Sequence, residues 1–119
     1  MSDYANRRIS EAELSVMEAL WDLGKSTAKD LQGVLKERRG WERTTVRSLL
    51  TRLQDKGSVT LDKDAEVATY IPAFTREEYS WDLNEVLLER MYDGDSKALV
   101  ADLLAHGLIT KEDLKALCE

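Results

Sequence analysis

The hydrophobic period of this chain changes at Gly57. From residue 42 to 56 the apolar positions Val46, Leu49, Leu50 and Leu53 fall at i, i+3, i+4 and i+7, the stripe of an amphipathic helix that Gly57 ends. Past that glycine, Val59 and Leu61 alternate with Ser58 and Thr60, the polar run from Asp62 to Glu66 makes a tip, and Val67, Thr69 and Ile71 alternate again. Alternation at period two on either side of a polar tip reads as a β-hairpin. Pro72 has no N–H for the ladder and ends the second strand. A helix that hands over directly to a hairpin leaves few folds open.

Upstream, two more helices are predicted. Ser10 with Glu13 matches a capping box, in which serine oxygen and glutamate carboxylate reciprocally satisfy backbone N–H groups. Leu14, Met17, Leu20 and Trp21 continue from it at three- and four-residue spacing to a stop at Gly24, so helix 1 covers about 11–23. Thr27 and Asp30 repeat the N-terminal signature, and Ala28, Leu31, Val34 and Leu35 form the stripe of a second helix closed by Arg38, Arg39 and Gly40. Gly33 inside it either permits close packing or weakens the helix by about 1 kcal/mol relative to Ala. Three helices and then a hairpin, in that order, make a winged helix-turn-helix, and residues 1–73 are assigned to it.

After Phe74 the character shifts. Thr75 with Glu78 is a further capping box, and a helix from about 76 to 92 carries Leu83, Val86, Leu87 and Met91. Ser96 and Thr110 are candidate N-caps of two shorter helices holding Leu99, Val100, Leu103, Leu104, Leu108, Ile109, Leu114 and Leu117. So many leucines on an open chain of helices expose too much apolar surface for a lone copy. Pairing across a twofold axis is the simplest remedy. Residues 74–119 are therefore read as a helical dimerisation domain, with Leu83, Val86, Leu87, Met91, Leu99, Val100, Leu103, Leu104, Leu114 and Leu117 as its interface. The fold class is mainly α with a small β-hairpin.

The net charge of −6 argues at first against nucleic acid. It is unevenly spread, however: cations and acids cancel over residues 1–73, and residues 74–119 carry the whole excess of acid. Within the neutral part, residues 36–56 hold seven cations against three carboxylates, a local +4. The polar face of the third helix there is made of hydroxyls and arginines rather than of the mixed Glu and Lys of a merely solvated surface. As the second helix of a helix-turn-helix it is the one that enters a major groove. Arg47 is suited to paired hydrogen bonds with a guanine edge, Thr44, Thr45, Ser48 and Thr51 to bases, a thymine methyl or phosphate, and Arg43 and Arg52 to the backbone. Lys63 at the hairpin tip is placed over an adjacent groove or strand. A winged-helix protein-interaction module without DNA is the competing reading.

Other chemistries find little material. His106 and Cys118 are the only histidine and cysteine, short of the three or four ligands of a zinc site, so no metal or cofactor is expected. No Gly-rich phosphate loop, nucleophile elbow or Cys-His-Asn set can be assembled, and the carboxylates of residues 77–95 read as a solvated helix face, so an enzyme is not expected. No apolar run approaches the ~20 residues of a membrane span, and MSDYANRRIS lacks the apolar stretch of a secretory signal. With a single cysteine, the cytoplasm is the expected compartment.

The stretches ISEAELSVMEALW (9–21), WERTTVRSLLTRLQDKG (41–57), the strand end at Tyr70 and the weaker YDGDSKALVADLL (92–104) together resemble the penicillinase repressor family, which includes methicillin-resistance and copper-responsive repressors. The resemblance implies a homodimer whose third helix binds a palindromic operator of double-stranded DNA, and repression of β-lactam resistance or stress genes. It also implies, for the β-lactam branch, a membrane sensor-protease system that relieves repression by cutting the dimerisation segment. The bond cut in those relatives is Asn-Phe, and Asp102-Leu103 stands at the matching position, a departure from the family pattern. Relief by ligand or partner binding at the dimer interface is the alternative. The Cys-x-Cys motifs of the copper-responsive branch are missing here, and where family members tend to have Pro, this chain has Arg43.

Overall fold

The computed structural model describes residues 9–119. The segment weighed above as a signal falls mostly in residues 1–8, outside the described residues. The elements run α1 (Glu11–Leu23), β1 (Ser26–Thr27), α2 (Ala28–Arg39), α3 (Arg43–Asp55), β2 (Val59–Asp62), β3 (Thr69–Pro72), α4 (Arg76–Met91), α5 (Ser96–Ala105) and α6 (Lys111–Leu117). The three strands form one antiparallel sheet in the order β1, β3, β2, with Thr60 opposite Ile71 and Ser26 opposite Tyr70. The hairpin and the helices around it are those expected. The short β1 is not, since two residues are too few to display a period. Val67, expected in the second strand, is exposed and precedes it.

The change of period at Gly57 has a structural cause. Gly57 takes φ +76°, its N–H donates to Gln54 O at 3.0 Å, and the N–H of Ser58 donates to Leu53 O at 2.9 Å. These paired bonds are the Schellman termination of a helix, and they need a residue at home in the left-handed region. The chain leaves α3 already extended. Val59, next in line, is buried, and the N–H of Ala73 donates to Ser58 O at 2.9 Å, which ties the hairpin to the helix end.

The core lies between α1, α2, α3 and the sheet. Val16, Met17, Leu20, Leu31, Leu35, Val46, Leu50 and Leu53 are all buried, one stripe from each helix. The capping box of α1 forms as expected, with Ser10 N donating to Glu13 Oε1 at 2.8 Å and Glu13 N to Ser10 Oγ at 3.1 Å. The same Oε1 accepts from Lys56 Nζ at 2.6 Å, so one buried carboxylate fastens the start of α1 to the end of α3. Burial alone pushes this carboxyl up. The Lys56 hydrogen bond, the two from Ser10 and the charge of Lys56 outweigh it and hold Glu13 below the usual glutamate range. Gly33 causes no close approach, because a Cβ built there meets nothing within 4 Å.

The chain resolves into two compact units that divide inside α4, the first ending at Asp82 and the second spanning Leu83–Glu119. The first therefore runs past residue 73, for a reason that lies in three rings. The rings of Trp21, Phe74 and Tyr79 cluster with centroids 5.6 to 6.2 Å apart, Phe74 stacked on Tyr79 and Trp21 tilted against both, and Trp21 Nε1 donates to Phe74 O at 2.9 Å. Arg76 lies over the Trp21 ring and donates to Asp22 at 2.7 Å, while Arg38 donates to the other oxygen of Asp22 at 2.8 Å. Hydrogen bonds from Arg76 and then Arg38 lower the pKa of Asp22. The first turns of α4 thus belong to the N-terminal core, and its capping box is present, with Thr75 and Glu78 exchanging bonds of 3.0 Å.

In the second unit α5 is capped by Asp95, whose Oδ1 accepts from the N–H groups of Lys97 and Ala98, and not by Ser96. Ser96 is already helical, and the carboxylate one residue earlier reaches the free N–H groups. Thr110 caps α6 as expected, in a box with Asp113. None of the residues in this unit is buried. No helix among the described residues is long and apolar enough to cross a membrane.

Candidate nucleic-acid interface

Helix α3 divides its residues cleanly. Val46, Leu49, Leu50 and Leu53 face the core, and Arg43, Thr44, Thr45, Arg47, Ser48, Thr51 and Arg52 are exposed. The exposed set is the one assigned to DNA from spacing, and the helix brings all seven onto a single surface. Thr51 Oγ1 donates to Arg47 O at 3.0 Å, a bond back to the preceding turn. Trp41, half-buried against the core, carries Arg39 at 5.0 Å from its ring and fixes the turn into α3.

Among the described residues of this unit, four cations are paired with carboxylates. Arg38, Lys56 and Arg76 hold carboxylates at 2.6 to 2.8 Å, and Lys36 sits 3.9 Å from Glu42. These four serve the scaffold. Arg43, Arg47 and Arg52 have no such partner among the described residues, so their charge is available to an external anion. Glu42, the N-cap of α3, makes no side-chain capping bond, and the first turn of α3 contains no acid. The first N–H groups of α3 are thus left without a side-chain cap from Glu42, whose carboxylate itself supplies negative charge at that helix end.

Lys63 is exposed but belongs to the loop between β2 and β3, not to the α3 surface. It stands among Asp62, Asp64 and Glu66, and Asp62 Oδ1 accepts from Asp64 N at 3.0 Å. The wing tip is thus acidic in sum. Spacing alone gave no place to Lys29 and Gln32 of α2, which line an open cleft with Ala28, Arg43 and Arg47. Their positions one and four residues into a helix before the recognition helix were the available signal.

Of the residues assigned to dimerisation, Leu83, Leu87, Met91, Leu104 and Leu117 are exposed on the single chain and Val86, Leu99, Val100, Leu103 and Leu114 are half-buried. Asp102 and Leu103 lie inside α5, and the Asp102 carboxylate accepts from the Tyr92 hydroxyl at 2.7 Å, so a cut between them requires local unfolding. Cys118 is exposed, and the described residues contain no group of three or more His, Cys, Asp or Glu suited to a metal.

Comparison with known proteins agrees with this geometry. The family model described as Penicillinase repressor matches residues 9–119. The chain is 26% identical to the penicillinase repressor of Bacillus licheniformis over 110 residues, covering 92% of this chain and 86% of that one. It is 24% identical over 115 residues to the methicillin resistance regulatory protein MecI of Mammaliicoccus sciuri, covering 97% and 94%. Among solved structures, the DNA-binding domain of the repressor BlaI superposes with a TM-score of 0.55 at 29% identity, over 61% of this chain and 89% of that domain. The monomeric form of Bacillus licheniformis BlaI in complex with the blaP half-operator superposes equally well, with a TM-score of 0.55 at 29% identity over 60% and 88%. The first unit has the winged-helix fold of those domains.

Proposed function

This chain belongs to the penicillinase repressor family, a family of repressors and not of enzymes, and on that premise we propose that it is a homodimeric transcriptional repressor which lays α3 in the major groove of each half of a pseudo-palindromic operator. One observation carries the reading: a continuous exposed surface of hydroxyls and unpaired arginines on a helix whose opposite side is sealed in the core. Arg47 reads a base edge, Thr44, Thr45, Ser48 and Thr51 contact bases or phosphate, Arg43 and Arg52 grip the backbone, and Lys63 reaches the flanking strand. The BlaI domain seated on a half-operator supports this docking.

Dimerisation falls to the helices beyond Asp82, through the exposed and half-buried apolar residues named above. The acidic charge of that part keeps it off the phosphates. In the cytoplasm such a dimer holds resistance or stress genes silent until a sensor-protease system or a bound ligand releases it. The test is a gel-shift titration at several salt concentrations. Affinity falls steeply with salt as counterions return to the phosphates, and Arg47→Ala weakens binding to the cognate site by about 1–3 kcal/mol. Salt-independent association would point to a protein partner instead, and an unchanged affinity would remove Arg47 from base reading.

A further inference from the structure

At the end of α1 one carboxylate answers two other helices. Asp22 Oδ1 accepts from Arg76 Nη2 at 2.7 Å and Oδ2 accepts from Arg38 Nη2 at 2.8 Å, so the last turn of α2 and the first residue of α4 are tied to the same side chain. Arg76 also lies 5.5 Å from the centroid of the Trp21 ring, and Trp21 Nε1 donates to Phe74 O just ahead of α4. Two neighbouring residues of α1 thus grip the root of α4, and Tyr79 is buried one turn further on.

The ion pairs of this cluster contribute little to folding. Their side chains are 41 to 47% exposed, and pairs so open to water are worth a small fraction of a domain's stability. Their effect falls on direction instead. A carboxylate that holds two planar guanidinium groups through separate oxygens restrains angle as well as distance. From that root α4 runs unbroken from Arg76 to Met91, a rise of about 22 Å. A tilt of about 10° at the root displaces the far end by about 4 Å, close to the roughly 3.4 Å step of one base pair.

We propose that Asp22 is a positioning residue for operator geometry: by tying Arg76 at the root of α4 to Arg38 at the end of α2, it fixes the direction in which α4 leaves the helix-turn-helix and so sets the half-site spacing that the dimer accepts. On the dimeric-repressor reading above, on which this rests, Leu83, Val86, Leu87 and Met91 of α4 pair with a second copy. Asp22 needs no contact with DNA for this role. It acts through Arg38 on the helix pair that seats α3, and through Arg76 on the helix that leads to the partner. A loosely rooted α4 lets two recognition helices accept several separations at similar affinity, whereas a fixed one penalises every separation but its own.

The experiment titrates the full chain against duplexes of equal length carrying one half-site or two. The half-site comes from sequences selected on the wild-type protein from a random pool, and the distance between paired sites is varied in single base-pair steps. Wild type prefers its best spacing over one two base pairs longer by about tenfold or more. Asp22→Asn and Arg76→Gln leave the affinity for a single half-site within about twofold and shrink that preference to about threefold or less. Asp22→Glu keeps the carboxylate and most of the preference. Glu11→Gln removes the same charge from the start of α1, where the described residues form no ion pair with it, and leaves the preference intact. If Asp22→Asn retains the full preference, or wild type is indifferent to spacing, the positioning role is refuted while the repressor reading stands. Equal losses on one half-site and on two would make Asp22 a matter of local stability and refute it as well. If wild type binds two half-sites at no spacing better than one, the dimeric reading itself falls.

Discussion

In the unit that ends at Asp82, Met17, Leu20, Leu31, Leu35 and Leu53 are sealed from water, whereas Met91 of the other unit is 72% exposed and Leu117 75%. Both regions are supplied with large apolar residues. They differ in how the residues are arranged. Three helices and a sheet meet around a common interior in the first, so each stripe finds a facing stripe. The part of α4 beyond Asp82, with α5 and α6, presents stripes that the single chain leaves partly in water. A core that closes within one chain supports independent folding, and one that does not calls for a second copy.

Truncation is the strongest way to break this comparison. A fragment ending at Asp82 remains folded and monomeric by sedimentation, and binds the operator roughly 10²–10⁴-fold more weakly than the full chain, because the second half-site no longer adds its effective concentration. A fragment that still dimerises would erase the proposed division of labour. Next in size, Leu53→Ala costs about 2–5 kcal/mol in denaturant titrations of the first unit. Met91→Ser changes the stability of that unit by no more than about 0.5 kcal/mol and acts instead on the dimer dissociation constant. Equal losses from both would show that the two units share one core.

The buried ion pair gives a finer test. Glu13→Gln preserves the capping box but leaves Lys56 facing a neutral amide, at a cost of about 1–3 kcal/mol, since Lys56 keeps some access to water. The folded pKa of Glu13 lies below its ordinary value, so this contribution is complete above the usual glutamate range and is lost as pH falls through the depressed folded value. The difference between wild type and variant, followed by denaturation across acid pH, closes accordingly. A gap that persists in strong acid would assign the effect to packing. The smallest change expected is a gain: Gly33→Ala stabilises the first unit by about 0.5–1 kcal/mol, because the helix accepts Ala and the added methyl meets open space. A loss there would reveal a contact made only in the assembled dimer or on DNA.

Much of the first unit was legible from residue spacing. The stripe from Val46 to Leu53, the capping boxes at Ser10 and Thr75 and the stop at Gly57 are local signals, each carried by neighbours within one or two turns of chain. The exposed side of α3 followed from the same periodicity. The pairing of Ser26 with Tyr70, the cap at Asp95 in place of Ser96, and the convergence of Lys29 and Gln32 on Arg43 were not legible in this way.

By itself, the amino-acid order determined which segments are helical, that a hairpin follows α3, and which side chains of α3 point outward, because helix and strand periods express the chirality and hydrogen bonding of the backbone over short distances. Only the tertiary structure decided that Glu13 meets Lys56 across the core, that the aromatic cluster of Trp21, Phe74 and Tyr79 carries the first unit into α4, and that two helix starts share one cleft. Those outcomes bring together residues far apart in sequence, and their positions depend on how whole elements pack, which no local period encodes.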